Sequence, residues 1–321
     1  MLQFGFIGLG SGAASALLFA SVTSGTMLSI PLAYLAPLPL MIAALGWSHW
    51  VALAGALVGG FAIWLFFGAF FSIGFLAGIG LPGWWLGYLT MLARPSGNGS
   101  TTSLEWYPPG RLVIWSAVLA AALVLLTIAS VGFGADEFRE ALRAALREVF
   151  RIAATEAGAG GPATFRNPDR LIEILVVALP PATAVMATIT DTLNLWLAAR
   201  IVRFSGRLTR PWPVLSEMTF PPLTAAALGA AIALTFIDGM VGIVAGVIAA
   251  SLLMAYGVLG FAVMHSVTRG LASRGFVLAG VYASVLIFGW PVLALCLIGL
   301  SETFFHFRGR AAVKRGPPAS T

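Results

Sequence analysis

No lysine, arginine, aspartate or glutamate occurs between Met1 and Ala93. Soluble domains carry about 25% charged residues, and a water-exposed surface cannot be built from so long an uncharged run. One membrane-spanning helix needs about 20 apolar residues, so this stretch alone is worth about four spans. It is also far too long for a cleaved signal peptide. The whole chain follows suit: of 321 residues, 59% are hydrophobic and 9% charged. The expected fold is all-α, a single integral membrane domain over residues 1–321. It is a polytopic transmembrane helix bundle of about 8–10 spans with one interfacial amphipathic helix.

The first span is expected over Phe4–Ser24. Gly8, Gly12, Ala16 and Ala20 recur every four residues and leave one smooth stripe, a surface on which another helix can approach closely. That helix belongs either to the same chain or to a docked subunit. Leu28–Trp47 is a second apolar run, interrupted by Pro31, Pro37 and Pro39; prolines free backbone carbonyls, which membranes tolerate only where neighbours or water satisfy them. Val51–Ile73 and Gly74–Ala93 read as the third and fourth spans. Arg94–Arg111 reads as an irregular loop. Within it Glu105, Trp106 and Tyr107 form a polar-aromatic cluster, either a lid over a pocket or part of an interfacial aromatic belt. Leu112–Phe133 is the next span.

From Ala135 to Ala157 the pattern changes. Arg139, Arg143, Arg147 and Arg151 recur every four residues opposite Phe138, Leu142, Leu146, Val149 and Phe150, which describes an amphipathic helix lying in the interface. With its Gly/Pro-rich connector this region covers 134–170. Further spans are expected at Leu171–Val202, Leu223–Ile237 and Gly239–His265. Phe276–Leu300 is broken at Gly289-Trp290-Pro291, as one kinked span or a shallow hairpin. The tail, 303–321, is basic and partly disordered.

The stretch most suggestive of function is Asp191–Pro222. Asp191 and Asn194 lie three apart and so share a helix face, at a depth where hydrocarbon should surround the helix. Polar groups placed there are costly, and they face a bundle interior or a watery cavity. Asp191 and Asn194, with Trp196 nearby and Glu105, Trp106 and Tyr107 as a lid, are the candidate substrate-binding residues. Arg200, Arg203, Arg207 and Arg210 then mark a membrane surface, and Trp212, Pro213, Pro221 and Pro222 turn the chain back.

Charge and motifs exclude more than they identify. The net charge of +6 reads as loop anchoring against anionic lipid, not as nucleic-acid binding, since no basic block is interleaved with exposed aromatics. Cys296 is the only cysteine, so no disulfide or thiolate metal site can be built. There is no phosphate-binding loop, no nucleophile elbow and no metal-spaced cluster. The chain is expected to be no enzyme and to need no cofactor or metal. Loop charge divides 8 against 10 over nine spans, or 12 against 6 if the last stretch is a hairpin. The second division puts the N-terminus, the arginine ladder and the tail on the cytoplasmic side. Arginine-rich, alanine-rich usage suggests a GC-rich bacterium, hence the bacterial inner membrane.

Several motifs of the second half occur in a recognisable order. Asn194 with Arg200 and Arg203 is followed by Pro211, Pro213 and Pro221, then by Tyr256-Gly257-Val258-Leu259-Gly260. Last comes Gly299-Leu300-Ser301-Glu302-Thr303-Phe304-Phe305-His306-Phe307-Arg308. This order resembles the YybS-like predicted membrane proteins, a bacterial family of unknown function, with Glu302 where that family more often has aspartate. The family is similar, at a distance, to the substrate-capture subunits of energy-coupling-factor vitamin transporters. Those are helix bundles without ATPase motifs that dock onto a coupling subunit through a small-residue face of the first helix. The resemblance implies a docking role for Gly8, Gly12, Ala16 and Ala20. Arg200, Arg203, Glu302 and Arg308 are candidate structural or gating residues. The expected partners are the lipid bilayer, a coupling membrane subunit or another membrane protein, and an unidentified small solute. The expected function is a small-solute transporter or its substrate-binding component, with a non-transport membrane scaffold as the alternative.

Overall fold

The computed structural model describes residues 2–96, 103–157 and 168–309. Most of the Gly/Pro connector and the last twelve residues of the tail lie outside the described residues. What is described is almost entirely helical. Seven helical segments are long and apolar enough to cross a membrane, and three shorter apolar helices accompany them. The chain is an all-α polytopic bundle.

Helix α1 (Leu2–Ala20) ends in a 3-10 turn, Ser21–Ser24. The proline-rich run is broken as its sequence requires, into α2 (Ser29–Tyr34) and α3 (Leu38–Gly46). Pro39 has no N–H to offer the Leu35 carbonyl, and the Leu38 N–H bonds to it instead at 3.0 Å, leaving the Tyr34 carbonyl without its helical donor. Helix α4 (His49–Phe67) follows, capped by the Ser48 hydroxyl. The chain does not break at the expected boundary, Ile73–Gly74, which lies inside a helix. The break falls at Gly68, whose φ of +88° belongs to glycine. Beyond it come α5 (Ala69–Phe75), a π-helical turn (Leu76–Gly80) and α6 (Leu81–Thr90).

The expected irregular loop contains a short hairpin. β1 (Ala93–Ser96) pairs antiparallel with β2 (Ser103–Trp106), in a register that sets Arg94 opposite Glu105, with an ion pair of 2.8 Å between them. Then follow α7 (Pro109–Val131), the amphipathic α8 (Ala135–Ala157) and the long α9 (Asp169–Phe204), which runs on through Pro180 and Pro181. α8 is tied to α9 where Arg143 donates to both Glu173 oxygens, at 2.6 and 2.9 Å, and Phe138 is buried in the core. After α9 an extended segment holds a 3-10 turn, Leu215–Glu217. The helices α10 (Leu223–Leu234), α11 (Met240–Val267), α12 (Arg274–Phe288) and α13 (Val292–Phe305) complete the chain.

Contacts at one end of the bundle order these elements. Arg207 lies over Trp47 beyond α3, and Arg210 reaches Thr90 at the end of α6 and Tyr107 before α7. Arg269, after α11, and Arg308, after α13, both bond to Ser216. The C-terminal ends of α3, α6, α9, α11 and α13 therefore share one end with the start of α7. Since α12 starts and α13 ends there, with Gly289 (φ +70°) turning the chain between them, the last apolar stretch is the shallow hairpin. At about 1.5 Å per residue its 15- and 14-residue arms reach about 22 Å, short of a hydrocarbon core of about 30 Å. Tyr256, fully buried on α11, packs edge-on against Phe220 at 5.2 Å. The extended backbone of 218–220 thus runs through the bundle interior, where a membrane protein can tolerate it.

Candidate functional site

The buried face of α9 reads Ile172, Val176, Pro180, Ala184, Thr188, Asp191, Asn194, Leu195, Ala198, Val202, a stripe of three- and four-residue steps broken only by the adjacent pair Asn194 and Leu195. Its middle is polar. Asp191 is 3% exposed and Asn194 1%. Asp191 lies 13 residues before Phe204, about 20 Å along the axis, deep within the span. The Asn194 amide nitrogen donates to the Thr190 carbonyl and to the Tyr34 carbonyl, both at 2.8 Å. The second bond supplies the donor that the proline-broken α2–α3 junction lacks. At the same junction the Ser15 hydroxyl of α1 donates to the Ala36 carbonyl.

Two acceptors remain unsupplied at this point. The Asn194 Oδ1 is buried without a hydrogen-bond partner, and among the described residues no donor reaches the Asp191 carboxylate. The neighbouring Thr192 hydroxyl is likewise unpartnered, whereas the Thr188 hydroxyl bonds back to Ala184 at 2.8 Å. A buried carboxylate and amide oxygen without donors are costly. What they can do chemically is receive a donor-bearing or cationic group.

The other candidates fall elsewhere. Trp196 is 42% exposed on another face of α9, with Arg200 over its ring at 5.7 Å. Glu105 and Trp106 sit on the hairpin at the arginine end, and Tyr107 directly follows it. Tyr107 accepts from Trp115 Nε1 at 3.0 Å through its hydroxyl and from Arg210 at 2.8 Å through its carbonyl. They do not join Asp191, which lies about 20 Å deeper. Gly8, Gly12 and Ala16 are buried, and Ala20 is half-buried. A Cβ added to Gly12 would strike the Gly55 carbonyl, and one added to Gly59 would lie 2.9 Å from the Gly12 carbonyl. The stripe is therefore an internal seam with α4, not a free docking face.

Glu302 and Arg308 come together. Arg308 Nε donates to Glu302 Oε1 at 2.8 Å, its backbone N–H reaches Oε2 at 3.3 Å, and Nη1 donates to the Ser216 carbonyl at 2.8 Å. His306, with φ +50°, turns the chain so that Arg308 can fold back. Arg200 and Arg203 have a different setting: both lie over Trp212, at 5.6 and 5.0 Å. Arg210 is only 6% exposed and donates to Thr90 O at 2.9 Å and Tyr107 O at 2.8 Å. Burial pulls its guanidinium below the ordinary value, and the carbonyl end of α6 compensates. A pocket of about 350 Å³ opens nearby, lined by residues that include Pro108, Gly110, Pro213, Glu217 and Thr219. Sequence reasoning missed it, because it joins segments about 100 positions apart. Among the described residues no cluster of three His, Cys, Asp or Glu side chains could hold a metal.

Residues 13–303 match the model of a family described as predicted membrane protein (DUF2232). The chain belongs to this DUF2232 family. The matched span contains Asp191, Asn194 and Glu302 and stops short of Arg308. No curated protein and no solved structure matches the chain.

Proposed function

We propose that this DUF2232 protein is a small-solute transporter of the bacterial inner membrane, or the substrate-binding component of one, and that it has no enzymatic activity. The observation carrying this reading is the pair of unsupplied acceptors, the Asp191 carboxylate and Asn194 Oδ1, at the junction of a discontinuous helix. Broken helices near the membrane midplane are where transporters bind solutes and ions. A solute bearing an ammonium or another N–H donor suits two acceptors. The distant likeness to energy-coupling-factor capture subunits points in the same direction. A coupling subunit would have to dock elsewhere than on the seam of Gly8, Gly12 and Ala16. With the α12–α13 hairpin returning the tail to the arginine end, loop arginines and lysines divide 12 against 6, which supports a cytoplasmic location for that end.

A membrane scaffold is the second reading. It is favoured by Asn194, whose amide nitrogen is fully used in holding the α2–α3 junction. The two readings part in a thermal-shift screen of small solutes. A transporter responds to a ligand through Asp191, and a scaffold gives no response.

A further inference from the structure

Three of the four arginines after Asn194 lack an acid. Arg200, Arg203 and Arg207 are exposed, and among the described residues their side chains make no hydrogen bond or ion pair. The acids at this end of the bundle are engaged elsewhere. Glu105 pairs with Arg94 at 2.8 Å, Glu302 with Arg308 at 2.8 Å, and Glu217 lies 3.9 Å from Arg269. Each free guanidinium is instead held on an indole face: Arg200 over Trp196 and Trp212, Arg203 over Trp212 at 5.0 Å, and Arg207 over Trp47 at 4.6 Å. Stacking fixes the charge without neutralising it, and tryptophans settle at the headgroup level of a membrane. Arg210, buried on the Thr90 and Tyr107 carbonyls, holds the segment that carries Trp212. Below the charges, α9 presents an exposed apolar ridge, Leu193 at 49% and Trp196 at 42%, and Phe204, 97% exposed, lies among the arginines. Leu193, Trp196, Arg200 and Phe204 follow three- and four-residue steps and so share a face.

We infer that this corner of the bundle is a binding site for an anionic phospholipid. Its phosphodiester sits among Arg200, Arg203 and Arg207, and its acyl chain lies along Leu193 and Trp196. Arginine forks match phosphate oxygens, and the apolar ridge beneath them suits a lipid better than a free anion. The inference is independent of the transport reading, because it uses none of the groups at Asp191.

The test titrates the detergent-purified full chain with phosphatidylglycerol, phosphatidylcholine or inorganic phosphate and follows its thermal unfolding. Each surface arginine strengthens anionic-lipid binding about fivefold. Replacing all three by glutamine should therefore raise the phosphatidylglycerol needed for the same stabilisation on the order of 100-fold. The substitution Arg94→Gln, at a guanidinium already paired with Glu105, should leave it unchanged. Phosphatidylcholine and inorganic phosphate should give little stabilisation, and added salt should weaken the phosphatidylglycerol effect. Equal stabilisation by phosphatidylcholine would overturn the site, as would full retention in the triple variant. Stabilisation by phosphate alone would make it a soluble-anion site and overturn the lipid assignment. The lipid comparison on the unsubstituted protein needs no variant to fold.

Discussion

Replacing Arg308 by leucine should destabilise the protein by about 3–5 kcal/mol, the usual effect of breaking a buried ion pair. The structure gives the reason. The Arg308 side chain is 12% exposed and that of Glu302 6%. The substitution removes two hydrogen bonds, one to Glu302 Oε1 and one to the Ser216 carbonyl, each of 2.8 Å. Hydrogen bonds to a charged group contribute about 1.5–3 kcal/mol apiece, so their loss gives the same magnitude. It leaves the Glu302 carboxylate buried with only the weaker backbone contact. Converting both residues to leucine should recover much of the loss, because two apolar side chains carry no uncompensated charge. The assay is reversible denaturant unfolding in detergent micelles, read as a double-mutant cycle. Arg94→Leu is the control: it breaks a pair exposed by 78% and 48% and should cost about 0–1 kcal/mol. If Arg308→Leu proves no worse than Arg94→Leu, the tail does not fold back onto Ser216. The hairpin and the charge division built on it would then fall together.

Two further substitutions probe the packing. A Cβ at Gly299 would strike the Tyr256 carbonyl where α13 crosses α11, so Gly299→Ala should cost about 1–3 kcal/mol. Gly246→Ala, with open space around its Cβ, should be neutral or stabilising by up to about 1 kcal/mol; the same unfolding assay separates them. Asn194→Leu should cost about 1–3 kcal/mol by orphaning the Tyr34 carbonyl, measured as the shift in unfolding midpoint at unchanged slope.

Some of this was legible in the residues and some was not, for identifiable reasons. The burial of Asp191 and Asn194 follows from their spacing within an apolar run, since helix periodicity is local. The partner of Asn194 is Tyr34, 160 positions earlier; no local pattern signals a carbonyl freed by Pro39. Trp196, five positions after Asp191, falls on another face at 100° per residue, and proximity in sequence misplaced it. The break at Gly68 was hidden in the run Phe66-Phe67-Gly68-Ala69-Phe70-Phe71, where hydrophobicity is unbroken and only the left-handed backbone of one glycine changes direction. The small-residue stripe announced close helix packing without naming the helix; the chain itself supplies it in α4. The pair of Glu302 and Arg308 stood within one motif, but its tie to Ser216 came from the extended segment that returns through the bundle.

The most direct measurement is a thermal-shift screen of the detergent-purified protein against vitamins, metal chelates, nucleosides and amino acids, run beside Asp191→Asn. A ligand at about 100 times its dissociation constant stabilises by about 2.7 kcal/mol, a shift easily seen. The account predicts a hit that survives in Arg94→Leu and is lost in Asp191→Asn while that variant remains folded. A blank across the library, or a hit indifferent to Asp191→Asn, would contradict it and leave Asp191 and Asn194 as structural groups of a membrane scaffold.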